Sequence, residues 1–449
     1  MPNSDNKINI GDTWKDLSEI KINIGDVWKD VSEAYINIGD SWKQFWAATV
    51  VSSVYGVSWD ESDSSPLCTR TGDNAGQSAG QSLVDSFLPI QALMKRCVIN
   101  DSGVVQYYLC STDSTKKADC STAAKLDGTD GQVMVEIPKF YYSYGYVGTT
   151  HSWSISLTTQ SGFILHPAFM KNSSEVDYRY IGAYEGSMYD ASLTQMVPAA
   201  DVAKSMYAAG DKLCSVTASG IFPKVNETRA EYRAMAVSRS AGWRQQDYDL
   251  TSAIQLLYVT EYASWNSQSV IGMGRTELTG GTWTADSLIG ECGKSNSDGN
   301  ATANTGGNTN DAYMSYRGIE NFFGNVYKWV DGFNINNGIP YVSNTDTDFA
   351  DNTTTNYTRL EDTGGSGITL VAVNGYQTTL EQIDRGFLPS AVGGSDFTYI
   401  TDYYYQNIGW RVARLGGYAN VGGLAGFFYW YLGNSFSDDS VNVGGRVCF

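Results

Sequence analysis

The sequence predicts an α+β protein with few helices and much irregular structure. Aromatic residues make up 13% of the chain, charged residues only 17%, and 47 of its 449 residues are glycine. This composition is typical of strands joined by turns, because aromatic side chains fit a pleated surface and glycine tolerates turn conformations. Helical apolar spacing is confined to residues 230–242 and 249–265. The second segment is the clearest amphipathic helix, with Thr251 as its candidate N-cap.

Three copies of one short unit occupy the amino terminus. INIGDTWKDLSEI, INIGDVWKDVSEA and INIGDSWKQF place Trp14, Trp28 and Trp42 at a fixed spacing of 14 residues. Each copy has the pattern of a β-hairpin, in which a short strand, a Gly-Asp turn and a second strand follow one another. One such hairpin has too little apolar surface to be stable alone, so we expect the copies to stack. Residues 1–46 are interpreted as a stalk or docking segment, with a decorative β-meander as the alternative.

Two further regions are predicted after the repeats. Residues 47–131 have the character of a small β-rich module that ends in the polar linker LDGTDG. At Gln132 the sequence changes to QVMVEIPKFYYSYGY, and this run of Val, Ile, Phe and Tyr predicts a strand. Residues 280–312 are rich in Gly, Asn, Thr and Ser, which predicts a long loop. Residues 132–449 are therefore expected to form a carboxy-terminal α+β domain.

The charge balance and the amino terminus argue against several classes of function. The net charge is −18, and no basic cluster is present that could displace counterions from a nucleic-acid backbone. MPNSDNKINIGD lacks the basic and apolar regions of a signal peptide, and no apolar run is long enough to span a membrane. We expect a protein made in a cytoplasm without a signal peptide, with no nucleic-acid partner and no membrane insertion.

The cysteines and histidines offer no visible catalytic or metal-binding pattern. The seven Cys include no CxxC pair, and His151 and His166 are the two histidines. A zinc site needs four clustered ligands, or three and a water, and triad chemistry would have to centre on one of these histidines. The odd number of Cys argues against a complete disulfide framework. We therefore predict mostly reduced, structural cysteines, no metal, no cofactor and no catalytic residues, so that the protein is not an enzyme.

Three motifs in the carboxy-terminal region resemble those of one family. FGNVYKWVDGF, GWRVARLGG and NVGGRVCF resemble motifs of the C-type-lectin-like domains shared by formylglycine-generating sulfatase-modifying enzymes and by the variable proteins of diversity-generating retroelements, among them the phage major tropism determinant. Leu415 interrupts the second motif. The resemblance implies a C-type-lectin-like fold for residues 132–449 and a scaffold that includes Gly324, Asn325, Trp329, Arg411, Arg414, Gly416, Gly417, Trp430, Gly444 and Arg446.

The residue types in these motifs favour structural roles. Trp329 lies among valines and has the character of a core anchor. Asn325 beside a glycine suits a turn that needs a positive φ or a side-chain bond to the backbone. Arg411, Arg414 and Arg446 lie among strand residues, where a guanidinium more often satisfies buried carbonyls or carboxylates than binds a ligand. We expect all three arginines to do so.

Other segments are similar to tail-fibre and adhesin proteins of tailed phages. They are DGTDGQVMVEIPKFYYSY, HPAFMKNSSEVDYRYIGAYEG, GFLPSAVGGSDFTYITDYYYQ and the amino-terminal repeats. The resemblance implies a virion adhesin at a tail-fibre tip, homotrimeric, joined to other tail proteins through its amino-terminal segment and bound to a host surface receptor that is either protein or glycan. One alternative is a structural virion protein of a baseplate or decoration. Another is a formylglycine-generating-type oxidase, which requires Cys292 and Cys448 within disulfide reach.

The stretch before the last motif is the expected ligand-facing surface. From Asn407 to Phe449 there is no Lys, Glu, Gln or Met, which fits the family's diversification of Asn codons into NNY codons. A related adhesin that is not diversified is the alternative. Tyr, Ser, Gly and Asn are also the residues of antibody paratopes. The expected receptor-binding residues are Tyr403, Tyr405, Tyr418, Asn420, Val421, Leu424, Tyr429, Tyr431, Gly433, Asn434, Asp438 and Ser440.

Five aromatic residues follow one another at positions 427–431. Alternate side chains of a strand point to opposite faces, so we expect Phe428 and Trp430 to pack inward and Tyr429 and Tyr431 to point outward. The alternative is that the whole run is buried. Nearby acidic residues suggest calcium ligands, but solvated loop carboxylates are the simpler interpretation.

Overall fold

The chain divides into two compact units, Met1–Ser53 and Val54–Phe449. The structure is a computed structural model that describes the backbone of residues 7–10, 13–16, 21–24, 27–30, 33–38 and 41–47, and every residue from 53 to 449. The side chains of residues 1–52 lie outside this description. The first unit contains the repeats, and the second contains all of the predicted binding residues.

The hairpin repeats are confirmed at the level of the backbone. Three antiparallel pairs are formed by β1 Lys7–Ile10 with β2 Thr13–Asp16, β3 Lys21–Ile24 with β4 Val27–Asp30, and β5 Glu33–Ile38 with β6 Ser41–Ala47. In each pair an Asn of the first strand lies opposite the Trp of the second. The Gly-Asp turns and the side chains of Trp14, Trp28 and Trp42 lie outside the described residues, so the stacking of the hairpins stays a prediction.

The second unit consists mainly of strands. They are β7 Tyr55–Asp60, β8 Thr69–Gly72, β9 Lys95–Ile99, β10 Val105–Cys110, β11 Asp113–Lys117, β12 Gln132–Pro138, β13 Tyr141–Val147, β14 Thr150–Ser156, β15 Ile164–Leu165, β16 Met170–Lys171, β17 Ser174–Glu175, β18 Tyr178–Gly182, β19 Ser187–Asp190, β20 Gln195–Met196, β21 Lys212–Cys214, β22 Arg244–Gln245, β23 Ala303–Thr305, β24 Tyr313–Tyr316, β25 Ile319–Glu320, β26 Tyr327–Asn336, β27 Ile339–Val342, β28 Thr358–Arg359, β29 Asn374–Leu380, β30 Pro389–Val392, β31 Ile400–Gln406, β32 Trp410–Leu415, β33 Trp430–Asn434, β34 Val443–Gly444 and β35 Val447–Cys448. The α-helices are α1 Arg229–Val237, α2 Tyr248–Tyr262 and α3 Ser267–Val270. Short 3-10 helices lie at Asp85–Phe87, Gln91–Leu93, Pro167–Phe169, Ala199–Asp201, Asn296–Asp298, Asp346–Asp348 and Gly422–Leu424.

The predicted α+β class is wrong, because the protein is mainly β. Strands account for 35% of the residues and helices for 12%. Burial explains the error. Nine of the ten residues in β26 are buried, and a strand covered on both faces lacks the alternation of polar and apolar residues that identifies strands in a sequence. The predicted loop at 280–312 contains β23 and one 3-10 turn.

Two large sheets organise the second unit. The nine-stranded sheet has the order β28-β27-β26-β32-β33-β31-β29-β30, with β34 parallel to β26. The seven-stranded sheet has the order β11-β10-β9-β12-β18-β35-β22. The terminal strand β35 therefore lies between two other strands, and the last residues of the chain are part of a sheet interior.

Strand pairing crosses the domain boundary predicted at residue 131. β12, which follows that boundary, pairs with β9, which precedes it, and Val133 lies opposite Val98. Residues 54–131 and 132–449 belong to the same compact unit, and the chain divides after Ser53.

Helix α2 runs through the interior of the second unit. All 15 of its residues are buried, so the amphipathic prediction for this segment is wrong. Its charged side chains have buried partners instead of solvent. Arg385 donates to the Asp249 carboxylate at 2.6 and 2.5 Å, and Arg317 donates to Glu261 at 2.8 Å. Thr251 lies inside the helix rather than at its N-cap.

The buried carboxylate of Asp247 joins this helix to both large sheets. It caps α2 by accepting a hydrogen bond from the Leu250 backbone N–H at 2.8 Å. Arg179 of β18 and Arg244 of β22 donate to the same carboxylate at 2.6 and 3.3 Å. The backbone of Asp247 also forms an isolated bridge with Asp331 of β26. The side chain and backbone of this one residue thus hold four elements of the core together, namely α2, β18, β22 and β26.

We expect Asp247→Ala to lower the free energy of unfolding by about 3–5 kcal/mol, because buried Arg179 loses its carboxylate partner and buried Arg244 keeps only Asp346. Urea unfolding followed by circular dichroism measures this change. Asp201→Ala, which removes an exposed carboxylate, should change stability by at most about 0.5 kcal/mol. A loss below about 1 kcal/mol for Asp247→Ala would contradict the assignment.

The stability of the protein is also expected to depend on pH, because the Asp247 carboxylate can be protonated. Burial raises the pKa of Asp247, but Arg179 and Arg244 outweigh burial and hold it at about 2. The pKa of an unfolded Asp is about 3.9. A carboxyl with a depressed folded pKa stabilises the fold above its unfolded pKa, and this contribution is lost as pH falls through the folded pKa. Thermal melts should therefore show a Tm that falls from about pH 4 to about pH 2, with a smaller fall in Asp247→Ala.

Candidate functional site

Neighbouring strands of the nine-stranded sheet present a row of aromatic side chains. Tyr405 of β31 lies opposite Tyr431 of β33, and Tyr431 lies opposite Arg414 of β32. The rings of Tyr405 and Tyr431 are stacked, with centroids 4.6 Å apart and planes inclined by 19°. Tyr403 lies two residues from Tyr405 and shares its face of the strand. Its ring meets that of Tyr376 edge to face at 5.4 Å.

The segment after β32 adds further apolar side chains to this face. The ring of Tyr418 lies 5.5 Å from Trp283 and 4.8 Å from Tyr327. Leu424 is half-buried against the same cluster. We use the name tyrosine surface for five half-buried residues: Tyr403, Tyr405, Tyr418, Leu424 and Tyr431. All five are among the receptor-binding residues expected from the sequence.

The opposite face of these strands is fixed to the core. The ring of Phe427 stacks on Tyr258 of α2 with centroids 4.3 Å apart, and Gln255 donates to the Phe427 carbonyl at 2.7 Å. The indole of Trp430 is fully buried and donates to the Phe387 carbonyl at 2.9 Å. The scaffold role predicted for Trp430 agrees with these contacts.

The exposure predicted for Tyr429 is wrong. Phe428 and Trp430 pack into the main core as expected, and Tyr429 points to the other face, but only 3% of it is exposed. Its hydroxyl lies 2.6 Å from that of Tyr327, in a buried hydrogen bond. Tyr327 also contacts the ring of Tyr431 at 5.8 Å. The pair of Tyr327 and Tyr429 therefore supports the tyrosine surface from beneath, and Tyr431 is the half-buried member.

The remaining predicted residues surround the tyrosine surface in the loops. Asn420 is exposed, whereas Val421, Gly433, Asn434, Asp438 and Ser440 are half-buried. Asp438 accepts hydrogen bonds from the Ser435 backbone and from the Asn434 amide at 2.8 and 2.7 Å. Burial raises the pKa of Asp438, but these bonds outweigh it and lower the pKa. The Asp438 carboxylate therefore holds the turn formed by residues 434–438.

Gly433 has little room for exchange. A Cβ at this position would lie 2.2 Å from a ring carbon of Tyr405, so any other residue requires the Tyr405 ring to move. Gly324, Gly416 and Gly417 adopt φ values of 78°, 87° and 79°. At Gly416 an added Cβ would also lie 2.8 Å from the Phe322 carbonyl oxygen, which explains why glycine is needed there.

Other motif residues are structural, as expected. Asn325 adopts a φ of 55°, and its side-chain oxygen accepts a hydrogen bond from the Gly290 backbone at 2.7 Å. Trp329 is fully buried, and its indole donates to the Glu227 carbonyl at 3.0 Å. Gly444 pairs in parallel with β26 through β34.

The three motif arginines differ in their partners. Arg446 donates to the carbonyls of Gly182 and Asn321 at 2.7 and 3.0 Å, as expected for a structural guanidinium. Arg411 is half-buried and donates to a neighbouring carbonyl at 3.0 Å. The expectation is wrong for Arg414. Its Nε and Nη2 are buried without a hydrogen-bond partner in the described part of the chain.

The thiols expected in an oxidase site are buried and apart from any disulfide. Cys110 and Cys120 form a disulfide, whereas Cys292 and Cys448 are free. Burial raises the pKa of Cys448 to about 12 and that of Cys292 well above its usual value. A buried, protonated thiol is a poor nucleophile. The arrangement therefore gives the oxidase alternative no reactive thiolate.

Neither histidine lies in the tyrosine surface. His151 of β14 is buried, and its Nε2 is 3.1 Å from the Glu61 carboxylate. His166 is also buried, and burial lowers its pKa to about 3. Among residues 53–449, no group of three or more His, Cys, Asp or Glu is arranged to hold a metal ion.

Two comparisons of this chain with known proteins are negative. No family model matches it, and no curated protein matches its sequence. Within the described ranges, no helix is long and apolar enough to cross a membrane. The function of this chain is therefore inferred from its own residues and their arrangement.

Sequence reasoning missed several side chains around the tyrosine surface. Trp283 and Tyr376 contact its members, and Phe436 is 43% exposed in the loop after β33. Trp283 lies in the segment GGTWTADS, where Ala285 is its one apolar neighbour and no other large apolar side chain is present. A lone Trp in a polar loop is a sequence signal for an exposed contact, and it could have identified this residue.

The hydroxyl pair beneath the tyrosine surface gives a double-mutant test. Tyr327→Phe or Tyr429→Phe alone should cost about 1–2 kcal/mol of unfolding free energy, because the remaining buried hydroxyl loses its partner. The double variant should cost less than the sum of the two. Denaturant unfolding of the three variants measures the coupling, and strictly additive losses would contradict the hydrogen bond.

Proposed function

We propose that this chain is a virion adhesin, a receptor-binding protein at the tip of a phage tail fibre that attaches to a host surface receptor through the tyrosine surface. The observation that carries the proposal is the pair of stacked rings of Tyr405 and Tyr431 on adjacent strands. They are half-buried, and the strand that carries Tyr431 is anchored on its other face through Trp430.

Rigid tyrosines are well suited to binding. A Tyr side chain has a large amphipathic contact area and loses little conformational entropy when it is ordered. Here the rings are already held in place before any ligand arrives, since Tyr405 stacks on Tyr431 and Tyr418 packs at a tilt against Tyr327 and Trp283. Such preorganisation reduces the cost of association.

The rim of the tyrosine surface supplies adaptable polar groups. Asn420 is exposed, and Asn434 and Ser440 are half-buried in the adjoining loops. Asn and Ser side chains adapt their hydrogen bonds to different partners, whereas the aromatic rings supply the contact area. The proposal includes diversification of the rim residues, as in the retroelement variable proteins that the sequence resembles. Position 433 is the expected exception, because the Tyr405 ring leaves no room for a side chain larger than that of glycine.

The assembly follows from the same proposal. The hairpin repeats of the first unit join the chain to other tail proteins of the virion, and three copies form one fibre. Several tips on a fibre gain avidity by effective concentration, so each single site needs only modest affinity.

Removal of the stacked rings of Tyr405 and Tyr431 is expected to weaken binding to host cells strongly. The double variant Tyr405→Ala/Tyr431→Ala should bind host cells at least about 30-fold more weakly than the parent, since aromatic anchors at the centre of an interface each contribute about 2 kcal/mol or more. Flow cytometry of labelled full-length protein measures binding, and protection of the cells from infection measures competition.

Tyr178→Ala is the matched control, because Tyr178 is 47% exposed on β18 and lies outside the tyrosine surface. This variant should bind as the parent does. A folded parent that coats no host cell would sink the adhesin proposal and favour a structural virion protein. Equal binding by the parent and the double variant would show that the receptor binds elsewhere on the chain.

A further inference from the structure

Arg414 is the exception among the buried arginines. Only 5% of it is exposed, and two of its guanidinium nitrogens are buried without a hydrogen-bond partner. No other arginine in residues 53–449 has two such nitrogens. Arg179 and Arg385, by contrast, are paired with carboxylates, and Arg446 donates to backbone carbonyls.

Aromatic rings surround this guanidinium, and no carboxylate in residues 53–449 forms an ion pair with it. Its central carbon lies 4.4 Å from the ring centroid of Trp329 and 5.9 Å from those of Tyr327 and Tyr431. Burial lowers the pKa of Arg414 to about 10, and Asp438 is the one carboxylate among the groups that raise it. Asp438 is instead bonded to Asn434 and Ser435, as described above.

An unpaired buried charge is costly, and cation–π contacts offset only part of that cost. An anion held against the exposed part of Arg414 would supply the missing negative charge. The position of Arg414 makes this approach specific, because it lies opposite Tyr431 in the strand pairing and so adjoins the tyrosine surface.

We propose that the tyrosine surface takes a sugar that carries a carboxylate, with the carboxylate on Arg414 and the sugar ring against Tyr405 and Tyr431. This inference rests on the proposed function and names the chemistry of the receptor. A guanidinium suits a carboxylate because two parallel N–H groups meet its two oxygens. The apolar face of a pyranose suits the half-buried ring of a tyrosine.

The surroundings favour a single acidic sugar over other anions. The Oδ1 atom of Asn434 is buried without a hydrogen-bond partner among the described residues, so it could accept a hydrogen bond from a sugar hydroxyl that reaches it on binding. The net charge of −18 would repel a polyanion. The electrostatic energy of a single bound carboxylate depends mainly on the groups next to it, because charges beyond about 8 Å are screened at physiological salt. Only 5% of Arg414 is exposed, so a ligand would contact it through one small group rather than through an extended anion.

The experiment uses the full chain and four agarose resins with one common linker. The resins carry D-glucuronic acid, N-acetylneuraminic acid, D-glucose as the neutral match of glucuronic acid, and a tetraglutamate peptide. Retention is measured for the parent and for Arg414→Met, Arg414→Lys and Asp438→Asn, together with the Tm of each. Arg414→Met is expected to keep or raise the Tm, because it removes an unpaired buried charge and keeps an apolar stem of similar length.

The proposal expects at least tenfold greater retention of the parent on one of the acidic-sugar resins than on glucose. Arg414→Met should lose that retention, Arg414→Lys should keep part of it, and Asp438→Asn should increase it by removing a competing carboxylate. If Arg414→Met does not fold, the other two variants provide the test: retention on the acidic-sugar resin should fall in Arg414→Lys and rise in Asp438→Asn.

Equal retention on the acidic sugars and glucose would overturn the inference, as would acidic-sugar retention that does not depend on Arg414. Stronger retention on tetraglutamate than on either acidic sugar would contradict a glycan and point to an acidic protein segment. If cells bind through Tyr405 and Tyr431 but neither acidic sugar is retained, this inference fails and the proposed function stands. If the parent binds no host cell, it is the proposed function that fails.

Discussion

The buried carboxylate of Asp247 is the contact on which the rest of the second unit depends. It caps α2, accepts hydrogen bonds from Arg179 and Arg244 of the seven-stranded sheet, and is bridged through its backbone to Asp331 in the nine-stranded sheet. A carboxylate in this environment remains charged because two guanidinium groups outweigh the cost of burial. The helix that it caps then provides the platform on which the carboxy-terminal stretch packs.

The candidate binding surface is a consequence of that platform. Tyr258 of α2 stacks on Phe427, and Gln255 donates to the Phe427 carbonyl, so the chain is held just before β33 begins. Inward and outward side chains then alternate along β33, and Tyr431 emerges beside Tyr405. A surface of this kind is rigid because its opposite face is part of the core, and rigidity is what allows a few rings to supply most of the binding energy.

The same packing leaves Arg414 without a partner. Tyr327, Trp329 and Tyr431 exclude water from its guanidinium, and the one nearby carboxylate is engaged in its own turn. Proteins retain buried polar groups of this kind at functional sites more often than in a structural core, because the fold gains nothing from them. The proposed ligand would recover on binding part of the cost that burial of Arg414 imposes on folding.

The sequence predicted local features well where the signal was short-range. The hairpin repeats and the inward positions of Phe428 and Trp430 follow from alternation or turn chemistry, and the strand at Gln132 follows from its β-branched and aromatic residues. The predicted residues Tyr403, Tyr405, Tyr418 and Tyr431 lie on one face, although nothing in the sequence specified which strands pair. The fold class and the amphipathic helix were predicted wrongly, because α2 and β26 are buried on all sides and lose the periodicity on which such predictions depend.

The errors at single residues have the same origin in long-range contacts. Tyr429 is covered by Tyr327, which lies 102 residues away in sequence, and no local pattern contains that information. Arg414 had the sequence context of a structural arginine, and only the arrangement of rings around it reveals that its partner is missing.

The most direct test of the account is hydroxyl-radical footprinting of the full chain, free and bound to host cells, with the oxidation of each tyrosine measured by mass spectrometry. The account predicts that Tyr403, Tyr405, Tyr418 and Tyr431 become several-fold less oxidised in the bound state, whereas Tyr178 is unchanged. Protection of Tyr178 or other distant residues, with the tyrosine surface oxidised as in the free protein, would contradict it.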